Sequence, residues 1–166
     1  MERRNFLIAG SLLGLSSALH AKAPDAFEKD FKEVEGVIAA VQEHMFPQGT
    51  KLPSAREMRA TAFLFETVAH PSYDRDIRAF VIEGAKELDS REKGKFISYT
   101  AKEKERALRA YEESSYGSSW LSRIMTLSME AILSDPVYGG NIKEKGWKAL
   151  QTEGGQPRPE SRYISL

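Results

Sequence analysis

Apolar residues that return every three or four positions constrain this chain more than any other feature. Phe27, Phe31, Val34, Ile38, Val41 and Met45 share one helical face. Pro47 and Gly49 end that pattern. Ser54-Ala55-Arg56-Glu57 then has the form of a capping box, opening a second helix that runs to about His70 with Met58, Ala62, Phe65 and Ala69 in one band. Pro71 stops it, and Ser72 or Asp74 begins a third helix. There Ile77, Phe80, Val81, Gly84 and Leu88 share a face, with Gly84 allowing close helix approach. Thr100-Ala101-Lys102-Glu103 is a further capping box, ahead of a helix carrying Ala107, Leu108 and Tyr111. The last long helix, from about Ser118 to Leu133, places Leu121, Ile124, Met125, Ser128 and Ile132 on one stripe and leaves Trp120, Leu127 and Leu133 off it. Such a broad apolar surface calls for central burial or a covering partner. No strand-like alternation of useful length and no internal repeat interrupts the pattern. The expected fold is all-α: a single-domain bundle of about five helices with an irregular C-terminal tail.

Composition narrows the chemistry. With 166 residues the chain is one domain's worth, and 24 Lys and Arg against 24 Asp and Glu leave no basic footprint for nucleic acid. There are no cysteines, which excludes iron–sulfur ligation, Cys-x-x-Cys-His haem attachment and thiol catalysis. No glycine-rich dinucleotide or phosphate loop and no Gly-x-Ser-x-Gly elbow occurs. Of the histidines, His20 lies near the N-terminus, while His44 and His70 fall at helix C-termini, where the dipole favours an imidazolium, with no metal-binding spacing between them. Asp74/Asp76 and Glu112/Glu113 lie at helix ends or on polar faces. The expectation is that this chain carries no catalytic residue, cofactor or metal of its own.

The N-terminus reads as an export signal. Arg3 and Arg4 precede an apolar run from Phe6 to Leu15, shorter than the ~20 residues a bilayer-spanning helix needs. Arg3-Arg4-x-Phe6-Leu7 resembles a twin-arginine signal, with departures at Glu2 and Ile8. Cleavage is expected after Ala18 or Ala21, giving a signal over residues 1–21 and a mature helical domain over 22–166.

The segment after the last long helix has the most individual character. Asp135-Pro136-x-Tyr138-Gly139-Gly140-Asn141, followed by Gly146-Trp147, sets two large aromatics in a stretch that Pro136 and the glycines keep from being regular helix. It either caps the chain's own core or presents a contact surface. This pattern resembles the C-terminal signature of the gluconate 2-dehydrogenase subunit 3 family, the small subunits of periplasmic flavin-dependent sugar and sugar-acid dehydrogenases. Near Leu52-Pro53-Ser54-Ala55 the chain departs from the family's usual Pro-Gly-Ala. The resemblance implies a large FAD-containing partner that oxidises gluconate at C2 to 2-ketogluconate and passes electrons to a cytochrome or quinone, with a cytochrome c subunit left open. It also implies a periplasmic location, leaving open membrane association through the complex. In that scheme this chain supports folding, assembly and twin-arginine export of the large subunit. Asp135, Pro136, Tyr138, Gly139, Gly140, Asn141, Gly146 and Trp147 are then the candidate partner contacts. The competing class is a self-contained periplasmic helical binding protein or chaperone.

Overall fold

The computed structural model describes residues 26–162; the expected signal, including Arg3, Arg4, Phe6 and Leu7, lies outside them. Among the described residues there are six α-helices and no strand: α1 (Ala26–Met45), α2 (Ala60–Ala69), α3 (Arg75–Arg91), α4 (Ala101–Glu112), α5 (Ser115–Leu133) and the short α6 (Lys145–Leu150). Three 3-10 turns, Phe96–Ser98, Pro136–Tyr138 and Ile142–Glu144, complete the path. The bundle is the expected one, and the sixth helix is a short turn within the segment read as irregular.

Helix α5 is the axis of the bundle, touching each of the other five helices. Most of its apolar surface is therefore buried by its own chain: Trp120, Leu121, Ile124, Leu127, Ala131 and Ile132 are all in the core, Leu133 is half-buried, and Met129 stays exposed. Trp120, which sequence periodicity places off the stripe, is fully buried, because α5 is covered from more than one side and a single-face reading does not apply. Its position depends on Gly84 of α3, where an added Cβ would lie 2.1 Å from the indole Cδ1. The indole Nε1 donates to the Val81 carbonyl at 3.1 Å, and the Tyr111 hydroxyl donates to the Gly84 carbonyl at 3.1 Å. Tyr111 and Trp120 meet edge to face, so α3, α4 and α5 are joined around one glycine.

Helix α1 buries Phe31, Val34, Ile38 and Val41 as its spacing requires, leaves Phe27 and Met45 half-buried against the core, and adds Val37 and Gln42. That amide is fully buried but satisfied: its Nε2 donates to Ser128 Oγ at 3.0 Å, and Thr61 donates to its Oε1 at 2.7 Å. One side chain thus ties α1, α2 and α5 together, since a buried amide without partners would be costly.

Local side-chain caps open three of the helices. Thr100 and Glu103 form the full capping box of α4, Asp74 caps α3 by accepting from the Asp76 N–H, and Ser114 caps α5 by accepting from the Gly117 N–H. The Ser54 box forms only in half. Ser54 accepts from the Glu57 N–H at 3.1 Å, but the Glu57 carboxylate pairs with Lys145 instead of returning to the cap. Residues 55–59 are accordingly turns, Arg59 takes a left-handed conformation (φ 54), and α2 starts only at Ala60.

Candidate partner-binding site

The last turn of a helix leaves its final carbonyls without intrahelical partners. In α5 the segment after Pro136 supplies them. Ser134 ends the helix, and the Asp135 carboxylate accepts from the Val137 N–H at 3.0 Å, turning the chain into Pro136–Tyr138. Gly139 follows in a left-handed conformation (φ 92) and reverses the direction. Gly140 then passes so close that an added Cβ would lie 2.5 Å from the Ala131 carbonyl oxygen. The Asn141 N–H donates to that oxygen at 2.6 Å. The fully buried Asn141 side chain accepts from the Gly146 N–H at 2.9 Å, closing the loop between these two residues. Gly146 sits directly against the Ile132 carbonyl, and Trp147 Nε1 donates to the Leu133 carbonyl at 2.6 Å. Asp135, Gly140, Asn141, Gly146 and Trp147 thus form one cap on the central helix.

The tail closes over this cap. Gly154 lies on the Trp147 ring, and the Arg158 guanidinium stacks on the same indole, 5.1 Å from its centroid. Arg158 also holds Asp135 with two hydrogen bonds, at 2.8 and 3.2 Å, and Glu144 with one at 2.7 Å. Its hydrogen bonds, with the Val137 N–H, hold the Asp135 carboxyl below the ordinary carboxylate range. The same two carboxylates push the Arg158 guanidinium further up. Further on, Arg162 pairs with Glu66 of α2 at 2.6 Å.

Tyr138 and Trp147, read from the sequence as a pair of anchors, have separate places. Trp147 is buried by its own chain; Tyr138 is 37 % exposed, beside the exposed Gly139. Tyr138 stands at the edge of a cavity of about 350 Å³ that Phe63, Thr67, Tyr73, Glu130 and Ser134 also line. Burial pushes the Tyr73 hydroxyl up, an effect that Arg123 opposes, and raises Glu130 in the same way. The partly buried Pro136 shapes the turn that carries Tyr138. By sequence, Gly154-Gly155-Gln156-Pro157 fits only loosely the family's glycine- and proline-bearing continuation, and no role falls to Glu144 or Arg158. Arg158 meets Asp135 and Glu144 across separations of 23 and 14 residues, and a glycine- and proline-bearing tail carries no periodicity to reveal such contacts. Among the described residues, no group of three or more His, Asp or Glu is placed to hold a metal ion, and no helix is long and apolar enough to cross a membrane.

Comparison with known families agrees with the signature. The family model described as gluconate 2-dehydrogenase subunit 3 matches residues 32–155, a span that includes the whole cap. No curated protein and no solved structure matches.

Proposed function

We infer that this chain, which belongs to the gluconate 2-dehydrogenase subunit 3 family, is a small subunit of a multi-subunit complex of that kind. From this premise we propose that it is the non-catalytic subunit that assembles with a large FAD-bearing polypeptide, supports its folding, and carries it to the periplasm. The large subunit would oxidise gluconate at C2 and hand the electrons to a cytochrome or quinone. The observation that carries the assembly reading is the division of labour within the signature. Asp135, Gly140, Asn141, Gly146 and Trp147 are used in capping α5, whereas Tyr138, on the turn that the cap anchors, stays 37 % exposed. An aromatic whose backbone is anchored in this way loses less conformational freedom on docking, which favours a contact of high energetic weight.

The export reading rests on Arg3-Arg4-x-Phe6-Leu7. A flavoprotein has to fold around its cofactor before leaving the cytoplasm, and a folded partner without a signal can travel with a subunit that has one. The test is co-purification of the tagged chain with the large subunit, followed by an absorbance spectrum for flavin and haem. Tyr138→Ala is expected to weaken assembly by about 1–4 kcal/mol while leaving the melting temperature of the isolated chain nearly unchanged. Unchanged assembly would refute the Tyr138 contact. Arg3→Lys with Arg4→Lys keeps the charge but loses the guanidinium fork. That variant should leave both polypeptides in the cytoplasm, as fractionation and immunoblotting would reveal; a periplasmic large subunit would refute the carrier role.

A further inference from the structure

The bundle carries a second groove, of about 720 Å³, along the side of α1 away from its core stripe. Its floor is Gly36, Ala39 and Ala40, three small residues on one helical face. Ile97 forms one wall. It is 54 % exposed, although it leads directly from the fully buried Phe96, and its Cδ1 lies only 3.0 Å from where a Gly36 Cβ would sit. A small-residue floor beside an exposed aliphatic wall lets another helix approach closely.

The charges along this groove are unequal in kind. Of its acids, Glu35 pairs with Lys32 at 3.1 Å, while Glu43 accepts from the Arg56 backbone N–H at 3.0 Å and forms no ion pair among the described residues. His44, beside them, pairs with Glu105 at 2.7 Å. Among the described residues, the side chains of Arg56, Arg59 and Lys104, which also line the groove, form no ion pair. The apolar strip is therefore bordered by three cations without an ion pair against one carboxylate, Glu43, likewise without one, which leaves an excess of positive charge. We propose that it docks an amphipathic helix of the large partner subunit, one whose small or aliphatic face is flanked by Asp and Glu. This rests on the reading that the chain assembles with such a subunit, and places on that assembly a contact separate from Tyr138.

Charge also decides between occupants. The chain's own apolar run from Phe6 to Leu15 follows Arg3-Arg4 and has no acid between residues 5 and 24, so seating it here would bring cations to cations. A second copy docking groove to groove would bring the same excess of positive charge against itself. An acidic helix from a different polypeptide meets neither objection.

The test uses the full chain co-expressed with the large subunit. A zero-length carbodiimide, which joins an amine to a touching carboxylate, should link Lys104 to an Asp or Glu of a helical segment in the large subunit, located by peptide mass spectrometry. A Lys104 link to Glu2 or Asp25 of the same chain, a link to a second copy, or no link overturns the proposal. Independently, Arg56→Glu with Lys104→Glu should weaken binding at least about tenfold, chiefly through slower association, and should weaken the salt dependence. The Tyr138→Ala chain serves as the comparison. If the double variant folds and binds within about twofold of the original, the groove assignment fails while the assembly reading stands. If the unmodified chain does not bind the large subunit, both fail. Should the double variant not fold, the crosslink on the unmodified chain decides.

Discussion

Gly146→Ala tests whether the signature is a helix cap or a loose tail. The added Cβ would lie 1.9 Å from the Ile132 carbonyl oxygen, where an ordinary carbon–oxygen contact is about 3.3 Å or more. Backbone faces backbone here, so no side-chain rotation relieves the clash and the segment has to move by more than about 1 Å. The hydrogen bonds from Asn141 to Ala131 at 2.6 Å, from Gly146 to Asn141 at 2.9 Å and from Trp147 to Leu133 at 2.6 Å would then pass beyond useful length. At about 1 kcal/mol each, with more for donors left buried, the loss is on the order of 3–5 kcal/mol. The better helix propensity of Ala recovers only about 1 kcal/mol. The segment should detach while the five long helices remain packed, because its contacts are concentrated on the end of α5. Of the two tryptophans, Trp120 lies inside the bundle and Trp147 in the cap, so a Trp120→Phe background isolates the reporter. The expected outcome is a red-shifted, iodide-quenchable Trp147 emission with far-UV circular dichroism nearly unchanged. Gly155→Ala, whose added Cβ meets nothing within 4 Å, is the control and should be silent. A Gly146→Ala chain with the original emission and melting temperature would refute the cap.

Other outcomes follow from the same geometry. Gly84→Ala should lower stability by about 2 kcal/mol in urea denaturation, since displacing the locked Trp120 outweighs the propensity gain; a rise in stability would mean that α3 and α5 are not so close. Gln42→Leu should cost about 2–3 kcal/mol by leaving Thr61 and Ser128 with unmet groups, and adding Ser128→Ala should recover part of it, a coupling that a double-mutant cycle measures. The Asp135–Arg158 clamp should be acid-sensitive. Because the folded-state pKa of Asp135 is lowered, its stabilisation is complete above the ordinary Asp value and is lost as pH falls through the lowered one. Trp147 emission should therefore change in that acid window, and Arg158→Ala should abolish the clamp's contribution to the change; an identical acid response in the variant would show that the clamp does not control the cap.

The fold class and the main helix faces were legible because they depend on local spacing. Phe31, Val34, Ile38 and Val41 in α1, and Ala107, Leu108 and Tyr111 in α4, are buried as their periodicity requires, and Thr100 caps where its motif places it. Gly84 could be marked as a close approach from its place on an apolar face. The signature, too, was legible as a unit, since its proline, glycines and asparagine demand unusual backbone at fixed positions. Other features needed the third dimension. Trp120 is buried because α5 has neighbours on several sides, and the Ser54 box remains half-formed because Lys145, far along the chain, takes Glu57. Arg158 reaches Asp135 and Trp147 only after the tail has folded back. The division between Trp147, used inward, and Tyr138, left facing out, was decided in the same way. Both are aromatic residues in one short motif, and their different roles follow from which one the end of α5 can reach with a hydrogen bond.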